Sequence, residues 1–553
     1  MKIPTIKTSR SAEQNQEQLS PFEIKNTLIN LANHHTNKTT HATLNAGRGN
    51  PNWISTIPRE AFFTLGSFGI QECRRVLKHR EGMAGIPQQK GIAKRFKAFL
   101  KENKKAPGIK LLSRLYRYGI KEHGFVPDDF VHELAEGVIG DQYPVPDRML
   151  RFPEILVHDY LLQEMCANHP PKGKFDLFAT EGGTAAMCYI FDSLMQNFLV
   201  KRGDKVALFV PIFTPYIEIP ELDRFDFEVI HITARGKSSE GYHDWRYPDE
   251  ELEKLKDPSI RIAYLVNPSN PPSVALSDKE RQKIIDIIRN DNPNLMFITD
   301  DVYGTFVDGF RSLMAEIPQN TLCVYSFSKY FGCTGWRLGV IALHEDNIYD
   351  KMIGALPDAE KQALHQRYHS ITLDPDKLRF IDRMVADSRM VALNHTAGLS
   401  LPQQIQMMLF ATFCLFDHKN AYKALAQKII HHRLDLLYAG MKLPLKPNPN
   451  RAGYYVELDI MLWAEKNYGP EFASFLQTNF EPVDIVFRLA ELESIVLLNG
   501  GGFDGPEWSI RVSLANLDEK SYTTIAKAIK IIVGEYVDAW KKDAGKKRPP
   551  KNG

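Results

Sequence analysis

The chain has 553 residues, 43% of them hydrophobic and 25% charged, with a formal net charge of only +2. That length carries two or three packed domains, and the composition is that of an ordinary soluble globular protein, with no global field pointing to nucleic acid or an anionic membrane. The first twenty residues lack the apolar core of a signal peptide, the longest apolar run (Met407–Phe416) is too short to span a bilayer, and the six cysteines follow neither metal nor disulfide spacing. A cytoplasmic protein without a metal is the expectation.

In chain order, a polar arm leads to Ser20-Pro21-Phe22-Glu23, which reads as a helix start: serine cap, proline in the first turn, glutamate at the third position. A glycine-rich turn follows at Leu44–Asn52, and residues 60–140 are largely helical and basic. Residues 1–150 are assigned to the arm and the helical part of a small domain. Residues 151–400 are assigned to a large domain of alternating strands and helices, with a helical insert at about 345–400. Ser400-Leu401-Pro402-Gln403 begins a long helix through about Leu437, and the rest of 401–540 reads as a smaller α/β unit. A basic tail at 541–553 is expected to be disordered.

Apolar strand-like runs at Lys174–Ala179, Lys205–Val210, Arg261–Val266, Leu295–Thr299 and Leu322–Tyr325 each end in a distinctive polar cluster. Ligands bind outside the carboxyl ends of strands in open α/β sheets, so these clusters converge on one crevice. After the first run, Gly183 and Thr184 open a helix and offer free N–H groups to an anion. Phe213 follows the second, placed to stack on a ring, and Asn270 follows the third, in Asn267-Pro268-Ser269-Asn270-Pro271. Asp300 follows the fourth, able to hold a ring nitrogen protonated, with Tyr303 three residues on. The fifth is followed by Ser326, Ser328 and Lys329, and then by Arg337, a permanently charged fork suited to phosphate. Lys329 offers the amine that forms a Schiff base with an aldehyde cofactor. Arg511, flanked by apolar residues in the C-terminal unit, suits a substrate carboxylate. Each has an ordinary alternative taken singly: a loop lysine, a glycine turn, a helix cap, a core aromatic, a structural ion pair.

Together these residues resemble the fold-type I pyridoxal 5′-phosphate (PLP) enzymes of the aspartate aminotransferase superfamily, over about residues 170–345 and around Arg511. The resemblance implies an α/β fold with a large, mostly parallel seven-stranded sheet, a smaller α/β domain and extra helical segments. It implies PLP bound to Lys329, its phosphate on Arg337, Ser326, Ser328, Gly183 and Thr184, its ring among Phe213, Asn270, Asp300 and Tyr303, and the substrate α-carboxylate on Arg511 with Asn270. One departure is that Pro272-Ser273 stands where Thr-Gly is usual. The added length, with Leu44–Asn52 and Gly140–Met149, resembles the aspartate 4-decarboxylases, which convert L-aspartate to L-alanine and CO2 and retain aminotransferase activity toward 2-oxo acids. That likeness implies Arg48 at the substrate's second carboxylate, as a catalytic and binding residue. It also implies Tyr143 donated to the phosphate across a homodimer that assembles further, and Lys25 reaching a neighbouring site. A plain class I aminotransferase of another amino acid and a PLP-binding regulator remain the alternatives.

Overall fold

The computed structural model describes residues 8–36, 43–143, 148–239, 241–391, 393 and 398–546. Its centre is a single sheet of seven strands: β1 (Phe175–Thr180), β2 (Lys205–Val210), β3 (Glu228–Thr233), β4 (Ile260–Val266), β5 (Met296–Asp300), β6 (Thr321–Ser326) and β7 (Gly339–His344). They lie in the order β1-β7-β6-β5-β4-β2-β3. β7 is antiparallel to both β1 and β6; the other neighbours are parallel. The mostly parallel α/β fold is therefore present. β1, β5, β6 and β7 are buried along their whole length, because helices cover both faces of a parallel sheet and leave no polar side.

The apolar runs of the sequence coincide with β1, β2, β4, β5 and β6 to within one residue at either end. β3 and β7 complete the sheet. β3 is an edge strand whose residues are partly exposed, so its apolar run is interrupted. The helix Gly183–Gln196 follows β1 directly. The helix Phe380–Ser388 packs beside it through the Asp387 carboxylate, which accepts from Ser193 at 2.6 Å and Asn197 at 3.0 Å.

Helices Thr56–Val76, Ile92–Glu102, Ile109–Lys121 and Pro127–Ile139 enclose a second apolar cluster around Phe68, Phe96, Leu112 and Leu134. Ile405, Met408 and Leu409 of the helix Leu401–Leu415 close it. The C-terminal unit is a three-stranded antiparallel sheet of Leu498–Asn499, Ser509–Ser513 and Tyr455–Asp459. The N-terminal segment joins it: Leu44–Asn45 pairs in parallel with Ile495–Val496.

Two expectations are corrected. The long helix from Ser400 is two helices, Leu401–Leu415 and Ala421–Met441, separated by a turn in which Asn420 is left-handed at φ 50° and the Asp417 carboxylate accepts the Tyr422 N–H. The first helix packs into both clusters, with Ile405, Met408 and Leu409 in the helical one and Met407, Phe410 and Cys414 in the main core, whereas the second packs into the main core through Ile430, Leu434 and Leu437. The C-terminal helix Glu519–Lys546 runs past Lys541, where the tail was expected to begin, with the Trp540 ring tilted against Phe472 at 5.4 Å. Residues 547–553 of that tail lie outside the described residues.

Candidate active site

The strand ends open on a cavity of about 300 Å3 lined by Gly49, Gly183, Thr184, Phe213, Asn270, Asp300, Tyr303, Ser326, Ser328, Lys329 and Arg337, among others. Ten residues singled out in the large domain as cofactor contacts thus share one space, although they span more than 150 positions of sequence.

At one end lies an anion cradle. Gly182, at φ 94°, caps the helix Gly183–Gln196, and a side chain there would come within 2.7 Å of the Arg337 guanidinium. Arg337 therefore lies across the helix N-terminus, its Nη1 and Nη2 donating, among the described residues, to the Thr334 and Glu181 carbonyls at 3.0 and 3.1 Å. Ser326 Oγ donates to Ser328 Oγ at 3.0 Å, so the two hydroxyls sit side by side at the end of β6. A helix terminus, a guanidinium without a carboxylate and paired hydroxyls form a phosphate site.

At the floor is Asp300, buried, accepting from the Tyr216 hydroxyl at 2.6 Å and the Val302 N–H at 3.2 Å. Burial pushes its carboxyl up to about 6, against the pull of those hydrogen bonds and of Lys329. A buried acid in that state gains from a protonated ring nitrogen beside it. Phe213 is partly buried and faces the cavity, with Tyr216 edge-on at 5.4 Å. The donor set and the cradle fit PLP.

The substrate end is built from three chain segments. Arg511 is 1% exposed; Nη1 donates to Asn270 Oδ1 at 3.3 Å, Nη2 to the Gly47 carbonyl at 2.9 Å, and Nε has no partner. No described carboxylate forms an ion pair with it, and burial lowers its basicity. An arginine so buried without a counter-ion is costly, and a ligand carboxylate offsets that cost. Arg48 is exposed on the turn beside it. The Lys25 amine is lowered by burial and then by the nearby charges of Arg48 and Arg511. Lys25 thus lies within electrostatic reach of Arg48 and Arg511 of its own chain. Tyr143 is not brought to this cavity; it is 72% exposed on the surface of the single chain.

Lys329 Nζ donates to the Gly49 carbonyl at 3.2 Å, which also accepts from Tyr454 at 2.8 Å. Three residues absent from the sequence reading complete the site: Gly49, Tyr216 and Tyr455. Tyr216 follows the Phe213 cluster by one helical turn, a spacing that could have signalled it. Tyr455 begins a strand of the C-terminal unit and carries no motif.

The description "Aminotransferase class I and II" matches residues 179–529. A bifunctional aspartate aminotransferase and L-aspartate beta-decarboxylase of Pseudomonas sp is 46% identical over 95% of this chain and 97% of its own length. An aspartate aminotransferase of Sulfolobus acidocaldarius is 29% identical over 29% of this chain and 40% of its own. Among solved structures, a Thermus thermophilus aspartate aminotransferase double mutant superposes with a TM-score of 0.56 at 15% identity, covering 92% of this chain and 96% of its own. That likeness concerns the fold.

Proposed function

From its membership of the class I and II aminotransferases, the family to which this chain belongs, we infer a PLP-dependent enzyme that β-decarboxylates L-aspartate to L-alanine and CO2, with aspartate aminotransferase activity beside it. The observation that carries the choice of substrate is the cluster of Arg511, Arg48 and Lys25 with no acidic ion-pair partner among the described residues. Three neighbouring cations, one of them bonded to the cavity residue Asn270, fit a substrate with two carboxylates.

In this reading Arg511 grips the α-carboxylate, with Asn270 holding the guanidinium in place. Arg48 and Lys25 receive the side-chain carboxylate. Gly183, Thr184, Ser326, Ser328 and Arg337 hold the cofactor's phosphate. Asp300 faces its ring nitrogen, Phe213 its ring face, and Asn270 and Tyr303 its ring oxygen. The cofactor, when bound through Lys329, supplies an electron sink for bonds broken at the substrate's α- and β-carbons. Lys329 removes and returns the α-proton. The partition then depends on water: excluding it favours loss of CO2 and alanine, whereas admitting it releases oxaloacetate.

The side-chain carboxylate sets a physical constraint. Neutralising it fully in the ground state would oppose its departure as CO2, because binding stronger in the ground state than in the transition state raises the barrier. An exposed arginine orients that group while solvent weakens the attraction.

The reading extends to a homodimer as the minimum assembly, with Tyr143 placed at the partner's phosphate and further association beyond it. Ile54, Ile57 and Phe63, 58%, 45% and 63% exposed, provide apolar surface for association. No helix among the described residues is long and apolar enough to cross a membrane. All six cysteines are free thiols, which supports a reducing cytoplasm.

The test is purified protein with PLP and L-aspartate, measuring CO2, alanine and oxaloacetate together. Equal alanine and CO2 with minor oxaloacetate is expected. Oxaloacetate formed only with an added oxo-acid acceptor would reduce the protein to an aminotransferase.

A further inference from the structure

Loss of CO2 leaves an electron pair on the substrate's β-carbon, and none of the residues assigned above is the acid that protonates it. A side chain at Gly49 would come within 2.4 Å of the Tyr455 hydroxyl and 2.9 Å of Lys329 Nζ, so the two polar heads meet in the space that this glycine leaves open. The Lys329 charge acts directly on the Tyr455 phenol. Tyr455 is 3% exposed and lines the same cavity as Lys329.

Its surroundings favour proton transfer through the phenol oxygen. Tyr303 donates to it at 3.4 Å, and the Arg511 guanidinium lies over the Tyr455 ring, 4.4 Å from its centroid. The ionisable groups facing it are Lys329, Arg511, Tyr303 and Tyr454, two cations and two phenols without a carboxylate. Burial alone would make the phenol a weaker acid, yet the charges of Lys329 and Arg511, together with the hydrogen bond from Tyr303, outweigh burial and hold it below the usual tyrosine value. Every other buried tyrosine around the cavity moves the opposite way.

We propose that Tyr455 is a further catalytic residue, the acid that protonates the β-carbon after CO2 leaves, and that Lys329 reloads it. The bond between the β-carbon and the departing carboxylate breaks with its electron pair left on the substrate. The Tyr455 O–H bond breaks as a C–H bond forms at the β-carbon. The ammonium of Lys329, free of the cofactor once substrate is bound, returns a proton to the phenolate, and the net proton comes from water. This role rests on the β-decarboxylase reading of the site.

The test is Tyr455→Phe. Alanine formation from aspartate is expected to fall about a hundredfold, the scale of a lost general acid. Release of oxaloacetate in the acceptor-free half-reaction, which needs only Lys329, is expected to change by less than about threefold on the same scale. In cofactor-free protein, the rate at which cyanate carbamoylates Lys329, followed by mass spectrometry at fixed pH, is expected to rise several-fold, since the ammonium loses its oxygen partner. Equal losses of both products, or an unchanged alanine-to-oxaloacetate ratio in folded protein, would overturn the proposal, as would an unchanged carbamoylation rate. If the wild type makes no alanine, the decarboxylase reading falls and the role of Tyr455 falls with it. Should Tyr455→Phe not fold, Tyr455→His takes its place and is judged by the same product ratio and the same carbamoylation rate. The histidine keeps a titratable donor, so a product ratio below wild type but above one-hundredth of it supports the proposal, and a ratio equal to wild type together with an unmoved carbamoylation rate overturns it.

Discussion

The two carboxylates of the proposed substrate meet opposite environments. In the proposed reading the one that stays is held by Arg511, almost wholly buried and fixed by Asn270 and the Gly47 carbonyl. The one that leaves is assigned to Arg48, exposed on its turn. A buried, prearranged charge holds its partner strongly because little water competes, whereas an exposed charge is screened. The site grips tightly where the substrate must not move and loosely where a bond must break.

Variants test that contrast, beginning with the group both ends share. Lys329→Ala is expected to lose product formation by several orders of magnitude and to lose the visible absorbance of the bound cofactor; an unchanged spectrum would show that another amine carries it. Arg511→Ala comes next. Removing one partner of a buried charge pair costs about 3 kcal/mol or more, roughly a hundredfold, expected in kcat/KM for decarboxylation and transamination alike. Arg48→Ala is smaller and selective: the alanine-to-oxaloacetate ratio is expected to fall about two- to fivefold, the scale of an exposed ion pair. Raising salt should reproduce the Arg48 effect on wild type and leave the Arg511 effect intact. Equal losses of both activities in Arg48→Ala would erase the distinction between the two ends.

The smallest effect concerns stability behind the buried end. Glu457 lies opposite Arg511 on the neighbouring strand, accepts from Ser509 at 2.7 Å, and has one carboxylate oxygen without a partner. Burial pushes it up to about 8. In the unfolded chain the carboxyl ionises near its usual value, while in the folded protein it keeps its proton until about pH 8. Stability from this residue is therefore present at low pH and is lost as pH rises from about 4.5 to about 8. Glu457→Gln should shrink the fall in Tm across that window by a few degrees, and a Tm profile parallel to wild type would remove Glu457 as the cause.

Much of this site is legible in the amino-acid order because the sheet does two things at once. Strands covered on both faces become unbroken apolar runs, and the residues that follow their carboxyl ends are forced to one side of the sheet. Asp300, Asn270 and Lys329 could thus be placed together without any contact being seen. Tyr455 and Glu457 could not. They alternate with apolar neighbours in Tyr455–Asp459, and only the pairing with Ser509–Ser513 turns their side chains toward Arg511. The break at Phe416–Asn420 was hidden because both flanking segments are good helix, and the turn between them is set by the left-handed Asn420 and the Asp417 carboxylate.

The two ends of the cavity also differ in when they come into being. The large-domain residues that form the anion cradle lie between Gly182 and Arg337, within one stretch of chain, whereas Arg511 emerges 182 residues after Lys329 and then bonds back to Gly47, 464 positions away. At roughly 5–20 residues per second of synthesis, that delay is about ten to forty seconds. A growing chain therefore acquires the pieces of its cofactor pocket first, and the turn carrying Gly47, Arg48 and Gly49 waits for the last strand before it has anything to close upon.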